Sequence, residues 1–122
     1  MKKKPICLIT GSSGLVGSEA AIFFSKKNFE VIGIDNNFRQ FFFGKSASTN
    51  QVKKKLSKIN NFNHFNVDIR NSKKLSNIIK KYKNRIKLII HCAAQPSHDW
   101  AYKNPMLDFE INARSTFNLL EL

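Results

Sequence analysis

Ile6-Cys7-Leu8-Ile9-Thr10-Gly11-Ser12-Ser13-Gly14-Leu15-Val16-Gly17 is the stretch that decides the fold. Ile6 to Ile9 form a short apolar run bounded by Pro5 and Gly11, as expected of a strand buried on both faces. Gly11-Ser12-Ser13-Gly14 is a turn. Beyond it Val16, Ala20, Phe23 and Phe24 recur at i, i+4, i+7 and i+8, which predicts a helix with one apolar side ending near Lys27-Asn28.

A glycine spacing alone is a weak signal, but here it joins a strand directly to a helix, and that context makes a cofactor argument. Gly11 permits the tight turn, Gly14 lets backbone approach a pyrophosphate with no Cβ in the way, and Gly17 lets the helix pack close to the sheet. The free N–H groups at the helix N-terminus and the positive end of its dipole favour an anion, with Ser12 and Ser13 as further donors. Asp35 ends a second predicted strand, Val31-Ile32-Gly33-Ile34, where a carboxylate accepts hydrogen bonds from both hydroxyls of an adenosine ribose. That placement predicts NAD. A 2′-phosphate would meet carboxylate repulsion, which the Arg39 guanidinium can partly offset.

Downstream, a loop rich in Phe and Asn is expected to about Gly44, followed by a basic helix capped by Ser46 or Ser48 and running to about Lys58. Phe65 to Val67 form a third predicted strand ending at Asp68. Asn71 or Ser72 then caps a helix with Leu75, Ile78, Ile79 and Tyr82 on one side. Ile86 to Ile90 form the fourth strand. After a loop containing Pro96 and ending near Pro105, Met106, Phe109, Ala113, Phe117 and Leu120 mark one side of a last helix. Strands alternating with helices imply right-handed βαβ units, hence an α/β fold: a Rossmann-like doubly wound parallel sheet. No linker or repeat divides it. The last helix carries no stop signal, so residues 1–122 read as four βα units of a truncated dinucleotide-binding domain, without a substrate domain.

Lys and Arg total 21 against 8 Asp and Glu, a net charge of +13 that can attract any polyanion. The lysines at 2–4, 53–55, 73–74 and 80–81 flank periodic segments or lie on their polar sides, so they are read as solvated surface, with no nucleic-acid or membrane partner. Cys7, Cys92, His64, His91 and His98 form no metal-ligand spacing; reduced buried thiols and packed histidines are expected. The apolar stretch behind the basic Met1 to Lys4 is too short for a signal peptide, and no segment approaches the ~18 apolar residues of a spanning helix, so a cytoplasmic protein is expected. Gly44-Lys45-Ser46 lacks the earlier glycine of a P-loop. Arg39 to Gly44 has Gln40 where an RNA-stacking strand has its second-position glycine, and is expected to fold as a loop over a cofactor.

Gly11, Asp35, Asp68 and Cys92-Ala93-Ala94 all fall on the carboxyl edge of the expected sheet, where open parallel sheets bind ligands. Asp68 has two readings, a contact to the adenine amino group with Ile69 against the ring, or a turn carboxylate. Ala93 and Ala94 are small, as backbone close to a cofactor requires.

These residues resemble the N-terminal part of the extended short-chain dehydrogenase/reductase family: Thr10 to Gly17, Asp35-Asn36-Asn37, Asp68-Ile69-Arg70 and His91-Cys92-Ala93-Ala94-Gln95. Within it, Gly33 to Gly44, Ala47-Ser48-Thr49 and Ala94 to Ala101 look like the CDP-paratose 2-epimerases. Residue reading and resemblance together assign NAD contacts to Gly11, Ser13, Gly14, Leu15, Val16, Gly17, Asp35, Asn36, Asn37, Arg39, Asp68, Ile69, Ala93, Ala94, Gln95 and Asn112. They assign contacts with a CDP-linked sugar to Gln95, Ser97 and His98. Asn112 has a second reading as a helix-packing residue, and Trp100 is either a sugar-stacking ring or an aromatic loop anchor.

The resemblance implies that a sugar carbon loses hydride to the nicotinamide, passes through a transient ketone and regains hydride on its other face, while a Tyr of a Tyr-x-x-x-Lys pair moves the hydroxyl proton. No Tyr-x-x-x-Lys occurs here: Ile86 stands four residues after Tyr82, and Met106 four after Tyr102. The 122 residues are therefore expected to carry no catalytic residue. A sugar-nucleotide 4-epimerase or 4,6-dehydratase shares every cofactor residue named, and a non-catalytic NAD-binding module is a reading of a different class. An unpaired fourth-strand edge and exposed apolar helix surface invite aggregation or dimerisation, the latter giving a homo-oligomer.

Overall fold

A computed structural model describes residues 3–122. Met1 and Lys2, where the basic run begins, lie outside the described residues. Four parallel strands, β1 (Ile6–Thr10), β2 (Glu30–Ile34), β3 (Phe62–Phe65) and β4 (Ile86–His91), stand in the order β3-β2-β1-β4. Every residue of β1 is 0% exposed. Ile6 and Leu8, with Ile32 and Ile34, enter one core; Cys7, Ile9 and Val31 enter a second on the other face. Burial on both faces is why these strands read as unbroken apolar runs.

The helices are α1 (Leu15–Ser25), α2 (Arg39–Phe43), α3 (Asn50–Leu56), α4 (Ser72–Tyr82), α5 (His98–Lys103), α6 (Pro105–Phe109) and α7 (Ser115–Leu120), with a 3-10 turn at Lys45–Ala47 and a π-helical turn at Glu110–Arg114. Leu75, Ile78 and Ile79 of α4, Ile111 of the π turn and Leu119 of α7 cover the first core, and Ala21 of α1 and Leu56 of α3 cover the second. As expected, Asn71 caps α4, its side chain accepting from the Lys74 amide at 3.0 Å. No helix among the described residues is long and apolar enough to cross a membrane.

Several elements differ from expectation. The Phe-rich loop contains α2, because Phe42 buries into the first core and pulls its neighbours into a turn of helix. The loop before Pro105 contains α5, whose first turn is capped by the Ser97 hydroxyl accepting from the Trp100 amide at 3.3 Å. β3 ends at Phe65, three residues before Asp68, because Phe65 pairs with Ile34, the last residue of β2, and no partner strand continues beyond it. Helix α1 buries Gly17 and Ala21 and leaves Val16 and Phe23 exposed, since close contact of Gly17 with the Gly11 carbonyl fixes which side faces the sheet.

The last helical region departs most. Ile111, Ser115 and Leu119 are buried at every fourth position, while Met106, Phe109, Phe117 and Leu120 are exposed. The π turn adds a residue to the local repeat and rotates the buried side away from a 3.6-residue stripe. A second irregularity lies in β4. Ile6 pairs with Ile86 but Cys7 pairs with Leu88, so Lys87 bulges out of the ladder and His91 comes to stand opposite Thr10.

Candidate functional site

Strands step outward from β1 to β2 to β3, then return to β4 on the other side of β1, so the carboxyl ends of β1 and β4 part at a topological switch point. A cleft of about 300 Å3 opens there. Its walls are the glycine turn and first turn of α1, the β2 end with Asp35, Asn36, Phe38 and Arg39, the Val67-Asp68-Ile69 segment, and Cys92 to Ala94 with Pro96 and Ile111.

The turn has three glycines with three separate roles. Gly11 has φ +64, and a Cβ on it would stand 2.7 Å from the Ala93 nitrogen. A Cβ on Gly17 would overlap the Gly11 carbonyl. A Cβ on Gly14 would meet only that carbonyl, at 3.3 Å, and otherwise project into open space. The Ser18 amide donates to the Gly14 carbonyl at 3.0 Å, so the amides of Leu15, Val16 and Gly17 precede the first intrahelical acceptor, and all three residues line the cleft.

The serines of the turn do not present hydroxyls to the cleft. Ser12 and Ser13 are 0% and 2% exposed, and their hydroxyls find no hydrogen-bond partner among the described residues. Ser12 Oγ packs instead against Gly33 of β2, where an added Cβ would stand 2.6 Å away. The Ser13 amide donates to Asp35 Oδ2 at 3.1 Å. Asp35 also accepts from the Asn37 amide at 2.8 Å and the Thr49 hydroxyl at 3.4 Å, which fixes its carboxylate at the cleft wall.

Asn36 and Arg39 line the cleft, but Asn37 does not. It has φ 59 and binds the α2–α3 connection together, donating to Gln40 and Ser48 and accepting from the amide and hydroxyl of Thr49. Behind Asp35 lies a polar cavity of about 240 Å3 lined in part by Asn37, Lys53 and His64. Burial, then the Lys53 charge, lowers His64 below its usual range, with Asp35 opposing.

Asp68 stands at the cleft and serves there as a turn carboxylate. It lines the cleft beside Ile69, and it accepts from the Arg70 amide at 2.8 Å and from the Arg70 guanidinium at 2.6 Å. Burial alone would raise this carboxyl, but the Arg70 hydrogen bonds and charge outweigh it and hold it below 3.8. The same guanidinium lies 5.1 Å from the Phe38 ring, and Phe38 itself forms cleft wall.

On the β4 side, Ala93 and Ala94 line the cleft as expected, whereas Gln95 turns inward. Its Nε2 donates to the Ser97 carbonyl at 2.8 Å and to Asp108 of α6 at 3.1 Å, and its Oε1 accepts from the Ser97 amide, so this amide is spent on its own loop and on α6 and not on a ligand. Ser97 is the α5 cap, and His98 is the first, exposed residue of that helix. Asn112 lies outside the cleft; its Oδ1 accepts from the Gln95 amide at 2.8 Å and so orders the loop backbone. Trp100 is an anchor, with ring centroids 4.8 Å from Phe41 and 5.9 Å from Phe42, joining α5 to α2. Cys92 lines the cleft with its thiol pushed up by burial, hence protonated and poorly nucleophilic.

Sequence reasoning missed Thr49, Val67, Phe38, Pro96 and Ile111 as cleft residues. Thr49 carries no local signal, because its partner Asp35 is 14 positions away. Ile111 was discoverable from the alternative four-residue stripe of the last helix.

The arrangement offers free backbone amides to an anion and, a short way along the same cleft, a fixed carboxylate to a diol. A family model described as GDP-mannose 4,6 dehydratase matches residues 8–122. The chain is 37% identical to a CDP-paratose 2-epimerase of Salmonella typhi over 93% of this chain and 31% of that protein. It is 33% identical to a UDP-glucuronate 4-epimerase of Thermodesulfobacterium geofontis over 94% of this chain and 34% of that protein. It therefore spans about a third of the length of the curated relatives it matches. Among solved structures, the UDP-Glc/GlcNAc 4-epimerase of Campylobacter jejuni superposes with a TM-score of 0.78 at 24% identity, covering 96% of this chain and 32% of that one. A UDP-glucose 4-epimerase of Stenotrophomonas maltophila, described with bound NAD and formylated UDP-arabinopyranose, gives 0.74 at 22% identity, covering 97% and 32%.

Proposed function

The chain belongs to the family described as GDP-mannose 4,6 dehydratase, within the extended short-chain dehydrogenases/reductases, and on that premise we propose that it binds NAD and forms the dinucleotide-binding part of a nucleotide-sugar epimerase. The observation that carries this reading is the meeting of the Leu15 to Gly17 amides and the Asp35 carboxylate in one cleft. The residues fit the cofactor: the position a Cβ would take at Gly14 is open, the α1 amides lack intrahelical acceptors, and Asp35 is held rigidly enough to face a ribose diol. When bound, NAD supplies the hydride acceptor and donor for a sugar carbon. The chain's own residues bind and orient: the amides hold the diphosphate, Asp35 the ribose, Ile69 and Phe38 exclude water from the adenine end, and Ala93 and Ala94 give close backbone approach.

For the substrate we take a CDP-linked sugar, CDP-paratose in particular, supported by the resemblance of residues 94–101 and by the Salmonella relative. Because Gln95 is committed to its loop, a 4-epimerase acting on a UDP-sugar is the second reading, supported by the Thermodesulfobacterium relative. With no Tyr-x-x-x-Lys among the 122 residues, the chain alone binds NAD without turning a sugar over. Calorimetric titration of the folded chain tests this. Saturable heat with NAD and NADH, and weaker binding of NADP, is expected; no heat with either NAD or NADH overturns the reading. Titration with CDP- and UDP-sugars in the presence of NAD separates the two substrate readings.

A further inference from the structure

We propose that His91 is a positioning residue for the dinucleotide: neutral with its proton on Nε2, it fixes the β4 wall of the cleft by accepting a hydrogen bond from the Thr10 hydroxyl at Nδ1. The inference rests on the proposed NAD binding and adds a residue outside the cleft to it. Thr10 Oγ1, fully buried at the end of β1, accepts from the amides of Cys92 at 3.1 Å and Ala93 at 3.2 Å. A hydroxyl has two lone pairs and one proton. Both lone pairs are taken, so the proton goes to His91 Nδ1, 2.6 Å away, and Nδ1 carries none. The remaining imidazole proton is on Nε2, which donates to Thr116 Oγ1 at 2.9 Å, and the Thr116 hydroxyl donates onward to the Asn112 carbonyl at 2.6 Å.

The Cys92 amide is shared between the Thr10 carbonyl, at 3.1 Å, and Thr10 Oγ1, whereas the Ala93 amide donates to Oγ1, and from there the circuit runs in one direction through His91 and Thr116. The circuit encircles residues 92–95: Thr10 holds the amides at its start, and Asn112 Oδ1 holds the Gln95 amide at its end. Ala93 is pressed against Gly11 by the same geometry, so the circuit joins the phosphate-binding turn to the opposite wall. The bulge at Lys87 makes it possible, because without that extra residue Ile90 would stand opposite Thr10. A proton on Nδ1 would face an oxygen with no lone pair left and displace one of the two amides. Burial favours the neutral ring.

The test uses two substitutions that each keep half of the ring's chemistry. His91→Asn places an amide oxygen near the Nδ1 position and keeps an acceptor for Thr10; His91→Gln reaches toward Thr116 and loses it. We expect His91→Asn to bind NAD within about threefold of the unaltered chain and His91→Gln to bind about tenfold or more weakly, the scale of one lost hydrogen bond. A residue that only packs would lower the melting temperature in both and leave the affinity of the folded fraction equal. Nitrogen-15 NMR of the unaltered chain should show Nδ1 unprotonated at neutral pH. Protonated Nδ1, or equal NAD affinity in the two variants, overturns the proposal. If the unaltered chain takes up no NAD, the functional reading fails, and hydrogen exchange at Cys92 and Ala93 decides the positioning: faster in His91→Gln than in His91→Asn supports it, equal rates overturn it.

Discussion

The carboxylate of Asp35 and the backbone amide of Ser13 are joined by a 3.1 Å hydrogen bond that ties the end of β2 to the glycine turn after β1. The two features that the sequence offers as separate cofactor signals, turn and carboxylate, are thus one rigid unit. Asp35 has a structural duty in addition to any ligand it holds, and its other oxygen is braced by Asn37.

Substituting Asp35→Asn is expected to damage both duties. The amide can keep the Asn37 contact through its oxygen, but its NH2 then faces the Ser13 N–H, donor against donor. Loss of hydrogen bonds to a charged acceptor removes ~1.5–3 kcal/mol each, so NAD affinity should fall about 10- to 100-fold. The preference for NAD over NADP should narrow at the same time, because the carboxylate no longer repels a 2′-phosphate. Calorimetry of both cofactors against the variant measures this, and an unchanged NAD affinity would contradict the assignment of Asp35.

The glycines should separate by cause. Gly11→Ala combines a left-handed φ with backbone contact at Ala93, and is expected to destabilise the chain by about 3 kcal/mol or more. Gly44→Ala meets nothing within 4 Å, but its φ of 85 and ψ of 180 lie in a region that only glycine enters readily, so it should lose ~1–3 kcal/mol from backbone strain alone. Gly14→Leu should leave stability nearly intact while abolishing NAD binding, since its side chain would occupy the open space of the cleft. Urea titration and calorimetry on the three variants distinguish strain, clash and occlusion.

What the sequence made legible was local. β1 and the glycine turn are readable because their apolar run and glycines sit within the twelve residues from Ile6 to Gly17, and β2 because a strand buried on both faces leaves a plain pattern. Asp35 and Ala93 were found as cleft residues for the same reason. The side of α1 was not readable, because it is set by contact between Gly17 and Gly11 and not by apolar spacing. The last helix misled because Met106, Phe109, Phe117 and Leu120 make a good 3.6-residue stripe, whereas the π turn selects Ile111, Ser115 and Leu119. Gln95 was placed at the ligand by resemblance; its ties to Ser97 and Asp108 depend on how α6 packs, which no short motif encodes.

Trp100 is the chain's one tryptophan and sits where α5 meets α2, so it reports on that joint directly. Trp100→Ala should destabilise the chain by about 2 kcal/mol, below the range for a fully buried ring because this one is half-buried, and Trp100→Phe should recover most of the loss. Phe41→Ala should shift Trp100 fluorescence to longer wavelength by admitting water. Equal stability of Trp100→Ala and the unaltered chain would show that the aromatic joint does not hold α2 in place.

Acid should weaken the fold in two stages. Burial keeps both His64 and His91 below the usual imidazole value of 6.5, so their neutral forms are favoured in the folded chain. Below pH 6.5 the unfolded chain takes up protons that the folded chain resists, and stability declines from there toward the lowered values. Asp68 works in the same sense further down. Its carboxyl is held below 3.8 by Arg70, so the stability it adds is fully present above that value and is lost as pH falls through the depressed one. Urea midpoints measured from pH 8 to pH 3 should therefore be level above neutrality, begin to fall below about 6.5, and fall further below about 4. His91→Asn should shrink the first decline and Asp68→Asn the second. A midpoint that rises on acidification between pH 7 and pH 5 would mean that the fold as a whole binds protons better than the unfolded chain there, contrary to the neutral forms that burial favours at His64 and His91.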